Sequence, residues 1–143
     1  MPQHERQIRA LQGRQRSINV LSTNSAWLLS SLVLGCNGLL SGSGSVIADL
    51  QVQLFRAVRC NDLAEARRLN DRIHPLARVF YADPFIDMHN RMKEALVLLG
   101  KLPRAVVRPP LVKITDAEIA LIKGALMEAE LLGTRTAKGR HAA

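Results

Sequence analysis

One strand, one short helix and one more strand are the only sheet-forming sequence in this chain, and they lie close together near its beginning. Ser17-Ile18-Asn19-Val20-Leu21-Ser22 reads as a strand bounded by polar residues. Asn24 or Ser25 can cap the next segment, Ala26 to Leu34, which is apolar all round and stops at Gly35. Cys36-Asn37-Gly38-Leu39-Leu40-Ser41 supplies the second apolar run. Strand, helix of roughly ten residues, strand is the pattern of a right-handed parallel βαβ unit. A parallel pair standing alone has two open edges, whereas parallel sheets occur almost only as larger, doubly covered sheets. The missing part is expected to precede Met1, because the sequence starts inside a helix, residues 5–13, and closes with capped helices and a polar tail.

After Ser41-Gly42-Ser43-Gly44-Ser45 the pattern turns helical almost to the end. Ser45 is placed to cap a helix through Cys60, with Val46, Leu50, Leu54 and Val58 on one stripe. Asn61 breaks it. Asp62-Leu-Ala-Glu65 resembles a capping box opening a helix to about Tyr81, with a bend expected near His74 because Pro75 removes a hydrogen bond. Asp83-Pro84 suits the start of a helix running to Leu99 and stopping at Gly100. Residues 101–114, with three prolines, read as an extended connector, and Thr115-Asp-Ala-Glu118 as a second capping box for a helix to about Leu132. The expected organisation is residues 1–60 as βα units, 61–132 as a helical extension and 133–143 as a basic, disordered tail.

The net charge of +8 invites a nucleic-acid reading. Its distribution argues against one. Arg6, Arg9, Arg14 and Arg16 crowd the start and Arg135, Lys138 and Arg140 the end, leaving little excess for the body. Trp27, Phe55, Phe80, Tyr81 and Phe85 sit in apolar segments, so no stacking platform interleaved with arginine is visible. No nucleic acid and no membrane are expected as partners, since the longest apolar stretches are far shorter than the ~18–20 residues a span needs. Without the apolar core of a secretory signal, a cytoplasmic location is expected, with Cys36 and Cys60 as buried thiols rather than a disulfide.

Several of these segments together carry a resemblance. Val20-Leu21-Ser22-Thr-Asn-Ser25, the helix to Leu34-Gly35, then Cys36-Asn-Gly-Leu-Leu-Ser41-Gly resemble the seventh and eighth strands of the dihydrodipicolinate synthase/N-acetylneuraminate lyase family, where the pattern is roughly V-L-S-G-D-D, a helix ending L-G, then A-D-G-V-I-S. Asp62-Leu-Ala-Glu-Ala-Arg-Arg-Leu69, His74-Pro75-Leu76, Met92-Lys-Glu-Ala-Leu96, Leu99-Gly100, Arg108-Pro-Pro-Leu111 and Ile114-Thr-Asp116 are similar to its C-terminal helices and connector. The resemblance implies an α/β fold, the C-terminal part of a (β/α)8 TIM barrel with two parallel strands, followed by C-terminal helices. It implies a class I aldolase or lyase, in which a lysine on the sixth strand forms a Schiff base with pyruvate or another 2-oxo acid. A barrel takes roughly 250 residues, so this chain is expected to begin in the helix after strand six.

The resemblance places Leu40 and Ser41 at the wall of the 2-oxo-acid pocket, with Gly42 after them and Ser22, Thr23 and Asn24 beside them. Thr23 and Asn24 depart from the family's glycine and aspartate, which leaves the substrate open. By its residues alone, Ser41-Gly-Ser-Gly-Ser45 could present backbone amides to an anion, or be a tight turn using glycine. None of Lys93, Lys101, Lys113, Lys123 and Lys138 falls at a strand end, so no catalytic residue is assigned. His74 and His89 read as packing or surface residues, and neither a metal site nor a cofactor is expected. Two functions remain. One is a truncated lyase chain, inactive alone, acting on a 2-oxo acid once a complementing chain or a homo-oligomer completes the barrel. The other is a non-catalytic helical interaction module that binds an acidic partner through its basic ends.

Overall fold

Short apolar runs separated by good helix stops fold here into a small two-layer unit braced by a helical bundle. A computed structural model describes residues 2–133. The order is α1 (Pro2–Gln12), β1 (Leu21–Ser22), a 3-10 turn (Ser25–Trp27), α2 (Leu28–Val33), β2 (Gly38–Leu39), α3 (Gly44–Arg59), α4 (Leu63–Phe80), a 3-10 turn (Phe85–Asp87), α5 (Met88–Leu98) and α6 (Asp116–Glu128). The two strands pair in parallel, Leu21 against Gly38 and Ser22 against Leu39. Each is two residues long rather than six, because helices frame the pair and no further strand extends the ladder among the described residues. The basic tail and Lys138 lie outside the described residues, apart from Gly133.

Asn24 caps as its sequence suggests, its side chain accepting from the Ala26 N–H at 2.8 Å. The first turn after it is 3-10, so the α-helix proper starts two residues later than Ala26. Gly35 ends it at φ +104°, a conformation that only glycine adopts without strain.

Ser45 does not cap α3. It lies inside the helix, and its hydroxyl donates back to the Gly42 carbonyl at 3.0 Å; Ser43 holds the cap position. A break at Ile47 (φ −125°, ψ 37°) offsets the first turn, and beyond it Leu50 and Leu54 carry the buried stripe, with Val58 half-buried. Asn61 at φ 59° turns the chain into α4, where the Asp62 side chain accepts from the Glu65 N–H at 3.0 Å. α4 continues through Pro75 to Phe80. α4 packs on α3 and α6, and the core joins Leu28, Leu54, Ile73, Leu76, Phe80 and Ile122 into one cluster.

Asp83-Pro84 does not open α5. Pro84 is extended (ψ 131°), a 3-10 turn intervenes and α5 starts at Met88. The reason is Arg91, whose buried guanidinium gathers the carbonyls of this turn: it donates to Ala82 at 2.6 Å, Asp83 at 3.2 Å and Pro84 at 3.3 Å. It also pairs with Glu118 at 3.2 Å. Glu118 in turn completes the capping box with Thr115 that starts α6. Asn90 and Lys93 donate to the carbonyls of Val112 (2.7 Å) and Val106 (2.6 Å), which fastens the proline-rich connector to α5. α6 ends at Glu128, earlier than Leu132, where Ala129 leaves the helix and Arg72 takes its carbonyl at 3.1 Å. Cys36 is buried and free, whereas Cys60 is free but exposed at the end of α3.

Arg91 is therefore the rivet of the extension. Burial works against ionisation of Glu118, but hydrogen bonds from Thr115 and Arg91 outweigh it and hold the carboxyl below the usual range. Arg91→Ala should cost about 3–5 kcal/mol, since it strands three carbonyls and a carboxylate, and urea denaturation reads this as an early loss of helix. Because the Glu118 pKa is lower in the folded than in the unfolded chain, its contribution is complete above the unfolded pKa, ~4.3. It disappears as pH falls through the folded value. Glu118→Gln should flatten that acid limb and leave the slope near pH 7 unchanged.

Candidate functional site

The C-terminal ends of β1 and β2 lie side by side because the strands are parallel, and both run into loops rich in hydroxyls. Asn37 N–H to Val20 C=O and Leu40 N–H to Ser22 C=O, each 2.8 Å, hold the strand ends in register. Beyond them, Ser25 is a hub. Its Oγ shares hydrogen bonds with Ser41 Oγ at 2.7 Å, with Ser43 Oγ, and at 3.5 Å with the hydroxyl of Tyr81 from the end of α4. Ser41 and Ser43 are themselves 3.1 Å apart, and Gln51 from α3 donates to Ser43 at 2.9 Å. Ser25, Ser43 and Gln51 are buried and Ser41 and Tyr81 half-buried, so the network ties β1, β2, α3 and the extension together at one end of the sheet.

The residues singled out in the sequence divide into two groups. Ser22 is buried and donates to Ser31 Oγ at 2.9 Å, and the Asn24 side chain is spent on its cap, so neither side chain is free. Thr23, Leu40 and Gly42 are exposed, and Ser41 stands between hub and surface. A Cβ on Gly42 would stand 3.7 Å from His89 and from Met92, so this loop lies against α5. Beside β2 an open cleft of ≈ 370 Å³ is lined by Leu40, Ser41, Ala48, Gln51, Val52 and Phe55.

Four backbone N–H groups at the end of the serine-glycine loop are spent within it. The N–H groups of Gly44, Ser45, Val46 and Ile47 are taken by the carbonyls of Ser41, Gly42 and Ser43, at 2.9–3.3 Å. The glycines serve the turn, as one of the two sequence readings has it. Ser25, Ser43, Gln51 and Tyr81 were not legible as site residues. Only the excess of serine at both strand ends hints at them, and which serines meet depends on the register.

The hub offers hydrogen-bonding hydroxyls and an amide without a charged group. No histidine, lysine or carboxylate bonds to Ser25, Ser41 or Ser43 among the described residues. Lys93 and Lys123 stand on α5 and α6, Lys101 follows α5 and Lys113 lies in the connector, so none of the four falls on β1 or β2. His74 and His89 are exposed. No group of three His, Cys, Asp or Glu able to hold a metal occurs among the described residues.

Two parallel strands joined by a crossover helix and followed by a helical bundle match part of an α/β barrel. The model of the dihydrodipicolinate synthetase family matches residues 3–129, and the chain belongs to that family. A putative 2-dehydro-3-deoxy-D-gluconate aldolase of Escherichia coli (strain K12), YagE, is 29% identical over 125 residues, 87% of this chain and 40% of that protein. The 4-hydroxy-tetrahydrodipicolinate synthase of Sodalis glossinidius (strain morsitans) is 31% identical over 113 residues, 79% of this chain and 38% of that one. The crystal structure of YagE in complex with pyruvate superposes with a TM-score of 0.80 at 26% identity, over 90% of this chain and 43% of the other. A monomeric dihydrodipicolinate synthase variant gives 0.83 at 23% identity over 92% of this chain, which shows the shared fold. The chain thus spans about 40% of the length of the relatives it matches.

Removing the hub hydroxyl tests its structural weight. Ser25→Ala leaves Ser43, Ser41 and Tyr81 each short of a partner and should cost about 1–3 kcal/mol. Thr23→Ala, exposed on the same loop, should stay within about 0.5 kcal/mol. Urea midpoints of the two variants that coincide would show that the hydroxyls do not hold the strand ends together.

Proposed function

We propose that this chain is the part of a Schiff-base 2-oxo-acid lyase or aldolase that carries strands seven and eight and the helical extension. In this reading β1 and β2 are those strands, residues 1–60 are the last βα units, 61–132 the extension and 133–143 a basic tail. The observation that carries it is the pairing of two parallel strand ends into a polar pocket wall in a chain with no lysine at either strand end. Family membership and the pyruvate held by the E. coli relative support a 2-oxo acid such as pyruvate as substrate.

The imine-forming lysine comes from outside this chain. Once protonated, the imine is an electron sink that lets the bond next to it form or break. What these residues contribute is shape and hydrogen bonding at the C-terminal mouth of the barrel, where such sites lie. Leu40 is the apolar wall, Ser41 the hydroxyl that the hub aims at the pocket, and Thr23 and Gly42 border it. Ser22 and Asn24 act through their backbone, since their side chains are committed elsewhere. Thr23 and Asn24 stand at the end of β1 where the family pattern that the chain resembles has glycine and aspartate, which leaves the particular 2-oxo acid open. A cytoplasmic setting is supported by two free thiols and by the lack, among the described residues, of a helix long and apolar enough to cross a membrane.

Pyruvate with borohydride tests the division of labour. The chain alone should yield no reduced adduct by mass spectrometry, and a stoichiometric adduct on Lys93, Lys101, Lys113, Lys123 or Lys138 would overturn the reading. With the remaining strands supplied, the adduct should form on their lysine. There Ser41→Leu should raise the KM for the 2-oxo acid by crowding the pocket, while Lys123→Ala, on an exposed position of α6, should be silent.

A further inference from the structure

Charge is unevenly spread along the chain. Residues 95–115 contain no Asp or Glu, and within that stretch the connector between α5 and α6 carries Lys101, Arg104, Arg108 and Lys113. All four are exposed, and among the described residues none pairs with a carboxylate. Cations gathered on one short strap repel one another, and an anionic partner relieves that repulsion.

The strap is held in a definite shape. Lys93 on α5 donates to the Val106 carbonyl at 2.6 Å, Asn90 donates to that of Val112 at 2.7 Å, and the Lys101 N–H returns to the Leu96 carbonyl at 2.8 Å. Between Pro103 and Pro109 exposure alternates with a period of two: Arg104, Val106 and Arg108 are exposed, Ala105 and Val107 half-buried. This is the alternation of a strand with one covered face, and its open face reads arginine, valine, arginine. Val106 is left 54% exposed between the two guanidinium groups. The N–H and C=O groups of Ala105 and Val107 make no backbone hydrogen bond among the described residues. In an extended chain they lie on the edge opposite the Val106 carbonyl that Lys93 holds. Pro103, Pro109 and Pro110 have no N–H to offer, which confines pairing to residues 104–108.

We propose that residues 104–108 are a docking strand for an acidic, extended peptide segment of a partner protein. The segment adds alongside by its backbone and sets carboxylates at positions i and i+4 against Arg104 and Arg108, with an apolar side chain at i+2 against Val106. The spacing decides for a peptide: the two arginines stand four residues apart, about 13 Å along an extended chain, with an apolar side chain midway. A nucleic acid finds no aromatic side chain in residues 101–114 to stack on. A lipid surface finds neither an aromatic anchor nor an amphipathic helix there. The docking strand does not depend on the lyase reading.

The test titrates a blocked synthetic peptide, Thr-Glu-Thr-Val-Thr-Glu-Thr, into the isotope-labelled chain and follows its amide resonances. Those of residues 104–108 should shift while those of α2 stay in place, and the shifts should fade at high salt. Arg104→Glu and Arg108→Glu should each weaken binding roughly tenfold, and Val106→Asp should weaken it as well. Arg6→Glu, at an exposed position of α1, should leave it unchanged. Circular dichroism checks that each variant folds. A peptide with lysine in place of both glutamates should bind the variant carrying Arg104→Glu and Arg108→Glu together and not the unaltered chain, a reversal that a merely structural effect does not produce. A permuted peptide of the same composition, Glu-Glu-Thr-Val-Thr-Thr-Thr, should bind roughly tenfold more weakly. No shift at about millimolar peptide, equal binding of the permuted peptide, or tighter binding of a thymidine oligonucleotide or of phosphatidylserine–phosphatidylcholine vesicles at residues 104–108 would overturn the proposal.

Discussion

A parallel strand hydrogen-bonds to both sides, and a pair of such strands leaves one side of each unsatisfied by protein. Everything distinctive about this chain follows from that constraint. The ladder is two residues long, and what keeps it in place is its cover: α2 as the crossover, with α3 and α4 stacked outside it. The chain superposes on solved structures of the family over about nine-tenths of its length, with the two strands and their cover in the family's arrangement. The same arrangement leaves Leu21 and Leu40 facing water.

Polar side chains hold the arrangement at two points. At the strand ends, the hydroxyl hub around Ser25 connects β1, β2, α3 and, through Tyr81, the extension. In the extension, Arg91 joins the turn after α4 to the start of α6. Each is buried and satisfied, the condition under which polar groups specify one geometry instead of costing stability. The extension is thus more than an appendage: Tyr81 carries its end into the site, and His89 and Met92 of α5 back the loop at Gly42.

Much of this was written locally. The βα pattern, Gly35 and Gly100 as stops, the Asn24 cap and the Thr115–Glu118 capping box depend on neighbours in sequence, and each stands as read. Strand length did not, because residues 17–22 and 36–41 read as six-residue strands whereas only Leu21–Ser22 and Gly38–Leu39 pair among the described residues. The start of α3 moved because Ser45 found the Gly42 carbonyl, and the start of α5 because a buried arginine 27 residues from its glutamate partner claimed the turn carbonyls. The hub shares this non-local origin. Ser25 meets Ser41 and Ser43 across 16 and 18 residues, and Tyr81 across 56, separations at which no sequence periodicity speaks.

Residue-resolved amide hydrogen exchange addresses the central claim, that the two-residue ladder has open edges and is held by its helical cover. In the free chain the amides of residues 20–23 and 38–41 should exchange orders of magnitude faster than those in the middle of α4 and α6. Protection at the strands equal to that of α4 would contradict the account.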